Sequence, residues 1–322
     1  MSAQTRAGLL KVRAAGPGCR IGLVAPASPF ERGDFEQGLV ELKRLGFEPV
    51  FDERVFERRG YVAGEPESRA TQLTDFWRRA DVDVVLAIRG GYGSAQLLRG
   101  LSLMDAQLAR QARTALVGYS DITSLHVWLA TCAGLVSIHG PMIDRRLSQG
   151  PSQYDPVSFL ASLRPEPMGE LCPDGVEVLG AGEAEGPLFG GTLTQLLASL
   201  GTPWAFRPPS GHVLLLDEVG ERPYRIDRML EQARQTGLLA KASAIVFGQL
   251  PRCDEPDGGL TAKAVVADAL RDFAGPVLWG FPSGHTTSAL VTVPFGVHVR
   301  VLATGTRPGL VVDESAVDGG PA

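Results

Sequence analysis

The chain has only four cysteines in 322 residues, Cys19, Cys132, Cys172 and Cys253, and no C-x-x-C pair. That spacing argues against a disulfide framework and against a cysteine zinc site. Scattered free thiols fit a reducing, cytoplasmic setting. Its five histidines form neither H-x-x-x-H nor H-E-x-x-H, so metal catalysis is disfavoured and no metal or organic cofactor is implied. No apolar run reaches the length of a membrane span. The first twenty residues lack the continuous apolar stretch of a secretory signal. A dinucleotide loop is missing too: in "RGGYG" the glycines fall at 90, 91 and 93, which breaks G-x-G-x-x-G, and no lysine–serine ending follows. Cationic excess is absent at a net charge of −5, so nothing marks a nucleic-acid footprint. These absences predict an intracellular protein with neither membrane nor nucleic acid as partner.

What is present is an ordinary globular composition, 44% hydrophobic and 21% charged. The length suits one large or two medium domains. Residues 1–17 read as a loose leader. From 18 to 145 short apolar runs ("RIGLV", "FEPVF", "VDVVLAI", "TALVG", "GLVSIH") alternate with helical spacings such as Phe35, Leu39, Leu42 and Leu45, closed by Gly46. This predicts an α/β domain with a parallel sheet and helices on both faces. Residues 146–182, rich in Pro, Ser and Gly with one short helix near 155–163, read as an interdomain linker. Residues 183–312 read as a second, C-terminal α/β domain with β-rich hairpin sequence towards its end. The acidic tail after 313 is expected to fray.

Three places carry chemistry. "ALVGYSDITSLHVWL" reads as strand, sharp turn at Ser120 and helix, which holds a serine clear of the sheet with backbone N–H groups beside it. The second glycine of G-x-S-x-G is missing, and a serine before a helix is also an ordinary N-cap. Gly90 and Gly91 end another strand, where paired glycines give either close backbone approach to a ligand or a plain tight turn. Both stretches would open into the crevice at the carboxyl ends of a parallel sheet. Asp217 and Glu218 end the apolar run "HVLLLDE". Buried carboxylates need partners, and adjacent strand residues face opposite sides, so only one of them can serve a given site. Among the histidines, His126 is expected to pack or cap, His139 to line the crevice, and His212 and His298 to face solvent. His285 differs, standing in the polar loop "PSGHTTS", the kind of segment that carries functional histidines.

Taken together the chain resembles the LD-carboxypeptidase family, the S66 serine peptidases. The matching pieces run in order from about 20 to 305: "IGLVAPAS", "YVAGEPESRATQL", "AIRGGYGSAQLL", "VGYSDITSLH", "HGPM", "GGTLTQLLASLGTPW", "LLLDEVGERPYRIDRML" and "GHTTSALVTVPFGV". The resemblance implies a Ser–acid–His triad, with Ser120 as nucleophile and His285 as base. It implies oxyanion donors from backbone N–H groups around Gly90 and Gly91 and at Asp121. Family members usually carry Glu-Asp where this chain has Asp217-Glu218. Counting back from "ERPYRIDR" puts Asp217 at the glutamate position, whereas side-chain length favours Glu218; the count makes Asp217 the preferred acid. The implied activity is release of terminal D-alanine from murein tetrapeptide in peptidoglycan recycling, by a cytoplasmic homodimer. The same family includes a microcin-immunity branch that hydrolyses acyl-sulfamoyl nucleotides, for which Trp204 is a candidate stacking residue. A non-catalytic peptide-binding protein on the same scaffold is the third reading.

Overall fold

The computed structural model describes residues 8–319. Two sheets organise them. The first has six strands in the spatial order Val293–Phe295, Ser137–His139, Ala115–Gly118, Val84–Ala87, Arg20–Val24 and Glu48–Phe51. The last five pair in parallel. Its middle strands, "VVLA" and "ALVG", are buried at every position. That is why they read as unbroken apolar runs: a parallel strand is covered on both faces. Helices Arg32–Arg44, Pro66–Trp77 and Leu103–Ala112 flank this sheet, and Ser102 and Asp105 close a capping box at the start of the last.

The second sheet is mixed, eight strands in the order Gly169–Leu171, Gly309–Val312, His298–Ala303, Gly182–Thr192, His212–Asp217, Ala242–Phe247, Val277–Trp279 and Glu177–Gly180. The parallel strands lie at its centre, with "HVLLLD" buried at all six positions. The α/β architecture with two sheets agrees with the sequence.

Several segments differ from their expected state. Residues 146–182 are not a bare connector, since they hold the helix Pro156–Ala161 and two strands that close opposite edges of the second sheet. The C-terminal hairpin is split. Val293–Phe295 crosses to the first sheet and pairs antiparallel with Ser137–His139, while His298–Ala303 stays in the second. The leader and tail hold each other, with Val12–Arg13 pairing in parallel with Val317–Asp318; the leader's first seven residues lie outside the described ones. His212 is wholly buried, not solvent-facing, because its strand is covered on both faces; His298 is half-buried. Among the described residues no helix is long and apolar enough to cross a membrane.

Candidate active site

Ser120 stands where the strand Ala115–Gly118 gives way, through one 3-10 turn, to the helix Thr123–Trp128. Its φ is +65°, a left-handed conformation that costs a non-glycine residue on the order of 1–2 kcal/mol. Its neighbours hold the turn. Tyr119 and Asp121 are buried. The Asp121 carboxylate accepts the Ser94 N–H at 2.7 Å and the Gln195 Nε2–H at 3.0 Å, and its carbonyl accepts the Ser94 hydroxyl. Burial pushes the Asp121 carboxyl up, against those hydrogen bonds. Its side chain is therefore occupied, and what it can offer the serine is its backbone N–H. Neither that N–H nor the one of Gly91 has an acceptor among the described residues.

Gly90 faces Ser120 directly. A Cβ at position 90 would stand 3.0 Å from Ser120 Cβ and 3.4 Å from the Asp121 nitrogen, so the glycine keeps the space before the serine open. Gly91 continues the turn over Ser28, whose hydroxyl also accepts the Tyr92 N–H at 3.1 Å.

Asp217 and Glu218 part at the end of the strand His212–Asp217. Asp217 is fully buried, and its Oδ2 lies 2.6 Å from His285 Nδ1 and accepts the His285 backbone N–H at 2.8 Å. Its Oδ1 accepts the Thr192 hydroxyl at 2.8 Å. Burial pushes this carboxyl up, but the charge and hydrogen bonds of His285 outweigh it and bring the pKa down to about 2. Glu218 turns the other way. It accepts the Thr194 N–H at 2.9 Å, the Thr194 hydroxyl at 2.6 Å and the Val219 N–H at 2.9 Å, near the start of the helix Leu193–Ser199. Side-chain length is thus a poor guide here. The shorter acid reaches the histidine because residue 284 is glycine at φ +78°, and a Cβ there would fall 2.2 Å from Asp217 Oδ2. The loop backbone closes over the carboxylate and makes up the missing methylene.

The Tyr119 ring lies edge-on to the His285 ring at 5.3 Å between centroids, which sets the serine turn beside the histidine loop. His126 packs as expected. Its Nε2–H donates to the Gly118 carbonyl at 2.9 Å, and its Nδ1 pairs with Ser137 Oγ at 2.9 Å. Burial pushes it down to about 3. His139 is wholly buried under the histidine loop and lines no open crevice. Its Nδ1 pairs with Ser283 Oγ at 3.0 Å, its Nε2 has no partner among the described residues, and burial takes it down to about 4.

Two residues of this region escaped sequence reasoning. Arg146 opens the stretch read as a linker, where an arginine beside Arg145 and ahead of Ser, Gly and Pro gives no signal. Gln249 binds Thr286, Thr287 and Ser288 beyond the histidine, and nothing in "FGQL" marks it. Trp204 is half-buried and packs on the core. A cavity of about 880 Å³ lined by Val127, Leu135, Phe189, Phe206 and Phe295 lies apart; Ser120, Asp217 and His285 do not line it.

This arrangement meets clear likenesses. Residues 21–140 match the LD-carboxypeptidase N-terminal domain, and residues 185–301 match the LD-carboxypeptidase C-terminal domain. A Streptomyces coelicolor protein named as a carboxypeptidase is 37% identical over 91% of this chain and 95% of its own. The murein tetrapeptide carboxypeptidase of Pseudomonas aeruginosa is 31% identical over 83% of this chain and 88% of its own. Among solved structures, the microcin C7 self-immunity protein in an inactive mutant apo state shares the fold, with a TM-score of 0.85 at 21% identity over 96% of this chain and 100% of that one. On both domains and on identity along most of its length, the chain belongs to the LD-carboxypeptidase family, the S66 serine peptidases, and is a hydrolase of carboxypeptidase type.

Proposed function

We propose that the protein removes the terminal D-alanine of murein tetrapeptide by cleaving the L,D-peptide bond before it, with Ser120, His285 and Asp217 as the triad. Ser120 Oγ attacks the scissile carbonyl while His285 Nε2 takes its proton. The backbone N–H groups of Asp121 and the Gly90–Gly91 turn receive the oxyanion. His285 then returns the proton to the leaving D-alanine amine, and water repeats the cycle on the acyl-enzyme. Asp217 fixes the imidazole with Nδ1 protonated and stabilises the imidazolium that forms. The observation that carries this reading is the 2.6 Å contact of the buried Asp217 with His285, lying beside the strained turn of Ser120. The nucleophile then comes from the half at 18–145, and the acid and base from the half at 183–312. A cytoplasmic homodimer acting in peptidoglycan recycling completes the proposal; both features rest on the family resemblance.

The test is D-alanine release from purified tetrapeptide. The wild type is expected to release it, and Ser120→Ala to lose roughly 10⁴-fold or more in kcat. Release by the variant at the wild-type rate would overturn Ser120 as nucleophile. Hydrolysis of an aminoacyl-sulfamoyl nucleotide in place of the tetrapeptide would move the substrate to the microcin-immunity class. Tetrapeptide binding without any turnover would leave a binding protein.

A further inference from the structure

Arg146 is a buried guanidinium, 5% exposed, with no carboxylate within ion-pair distance among the described residues. Water cannot solvate it, and uncompensated buried charge is costly. Its stability comes from its five N–H donors, for each of which there is one acceptor. Nη2 donates to the carbonyls of Gly284 at 3.2 Å and Thr286 at 3.0 Å, the residues on either side of His285. Nη1 donates to the carbonyls of Gln153 at 3.0 Å and Ser288 at 3.5 Å. Nε donates to the hydroxyl of Tyr119, the residue before Ser120, at 3.3 Å, and the guanidinium carbon lies 5.6 Å from the Tyr119 ring centroid. One rigid fork therefore holds the serine turn at one end and both flanks of the histidine at the other.

We infer that Arg146 is the positioning residue that sets the distance between Ser120 and His285. The inference rests on those two acting as nucleophile and base. Because its donors are all engaged, Arg146 has none left for the substrate, and its loss should act on the chemical step and not on binding. Lysine keeps the charge but offers three donors from a single point, which cannot span Gly284, Thr286 and Tyr119 together.

The variants are Arg146→Lys, Arg146→Met and Tyr119→Phe; the last removes one acceptor and keeps the buried ring. Each is assayed well below its own melting temperature for D-alanine release. Each is also assayed by mass spectrometry for the rate at which a fluorophosphonate labels Ser120, which needs no peptide. Arg146→Lys and Arg146→Met should lose about 10²-fold in kcat, the scale of a misplacement near 1 Å, with KM held within about threefold. Tyr119→Phe should lose less, in kcat alone. Labelling should slow in proportion. Folded variants that label and turn over like the wild type, with only their melting temperature lowered, would overturn the inference, as would a raised KM at unchanged kcat. A wild type that labels but releases no D-alanine would sink the tetrapeptide reading and leave Arg146 judged on labelling. A wild type that neither labels nor turns over would overturn both.

Discussion

Asp217 and Glu218 are adjacent, both buried and both acidic, yet their surroundings separate their roles. Asp217→Asn should cost about 10⁴-fold in kcat, because an amide cannot hold the imidazole with the correct nitrogen protonated. Glu218→Gln should lower stability by about 1–2 kcal/mol, because one of its two oxygens becomes an NH2 that cannot accept from Val219 or from the Thr194 N–H, while kcat stays within about threefold. Measuring kcat and urea midpoints for both variants checks the pair, and the reverse pattern would make Glu218 the acid. Strand alternation told a reader of the sequence that only one of the two could serve His285, and counting from "ERPYRIDR" pointed to Asp217. Reach argued the other way, because the approach of the loop at Gly284 depends on residues nearly seventy positions away and leaves no trace in local spacing.

Loops and edge strands are where the sequence was least legible. The central strands announced themselves as apolar runs bounded by turn residues. "GEL" at 169–171 and "EVLG" at 177–180 did not, being short and part-exposed, and only their partners Gly309–Val312 and Val277–Trp279 make them strands. The loop from Phe281 to Val291 was legible as a polar insertion carrying His285, but not its clamp from Arg146 and Gln249. Gly284→Ala tests the loop's closeness to the acid. The added methyl would meet Asp217 Oδ2 and force the loop outward, and the expected loss is about 10²-fold in kcat. Activity within about twofold of wild type, by the same D-alanine assay, would show that the loop has slack.

At the scale of the whole molecule, three neutral histidines are locked in the interior. Burial pushes His126 down to about 3, and His139 and His212 to about 4. In the unfolded chain such groups titrate near 6.5. Between about pH 6.5 and pH 4 the unfolded state therefore binds protons that the folded state refuses. Stability falls on acidification by roughly 1.4 kcal/mol per pH unit for each histidine. Asp217 adds a lower window. Its folded pKa lies below the unfolded one, so its contribution is present above about pH 4 and lost as the pH falls towards 2. Urea midpoints should drop clearly between pH 7 and pH 5, and His126→Gln should flatten that slope; equal midpoints at the two pH values would refute the assignment.

The strand Val293–Phe295, seated in the first sheet beside Ser137–His139, has a consequence for the order in which the protein is made. A ribosome adding about 5–20 residues per second releases the Ser120 turn on the order of 10 s before the strand that completes its sheet. Through that interval the Ser137–His139 edge stands open and its hydrogen-bonding groups can pair with a foreign strand. The serine turn is thus made early, and its sheet gains its covering edge only once Val293–Phe295 has emerged. On the proposed triad, hydrolytic competence waits until the loop of His285 has emerged.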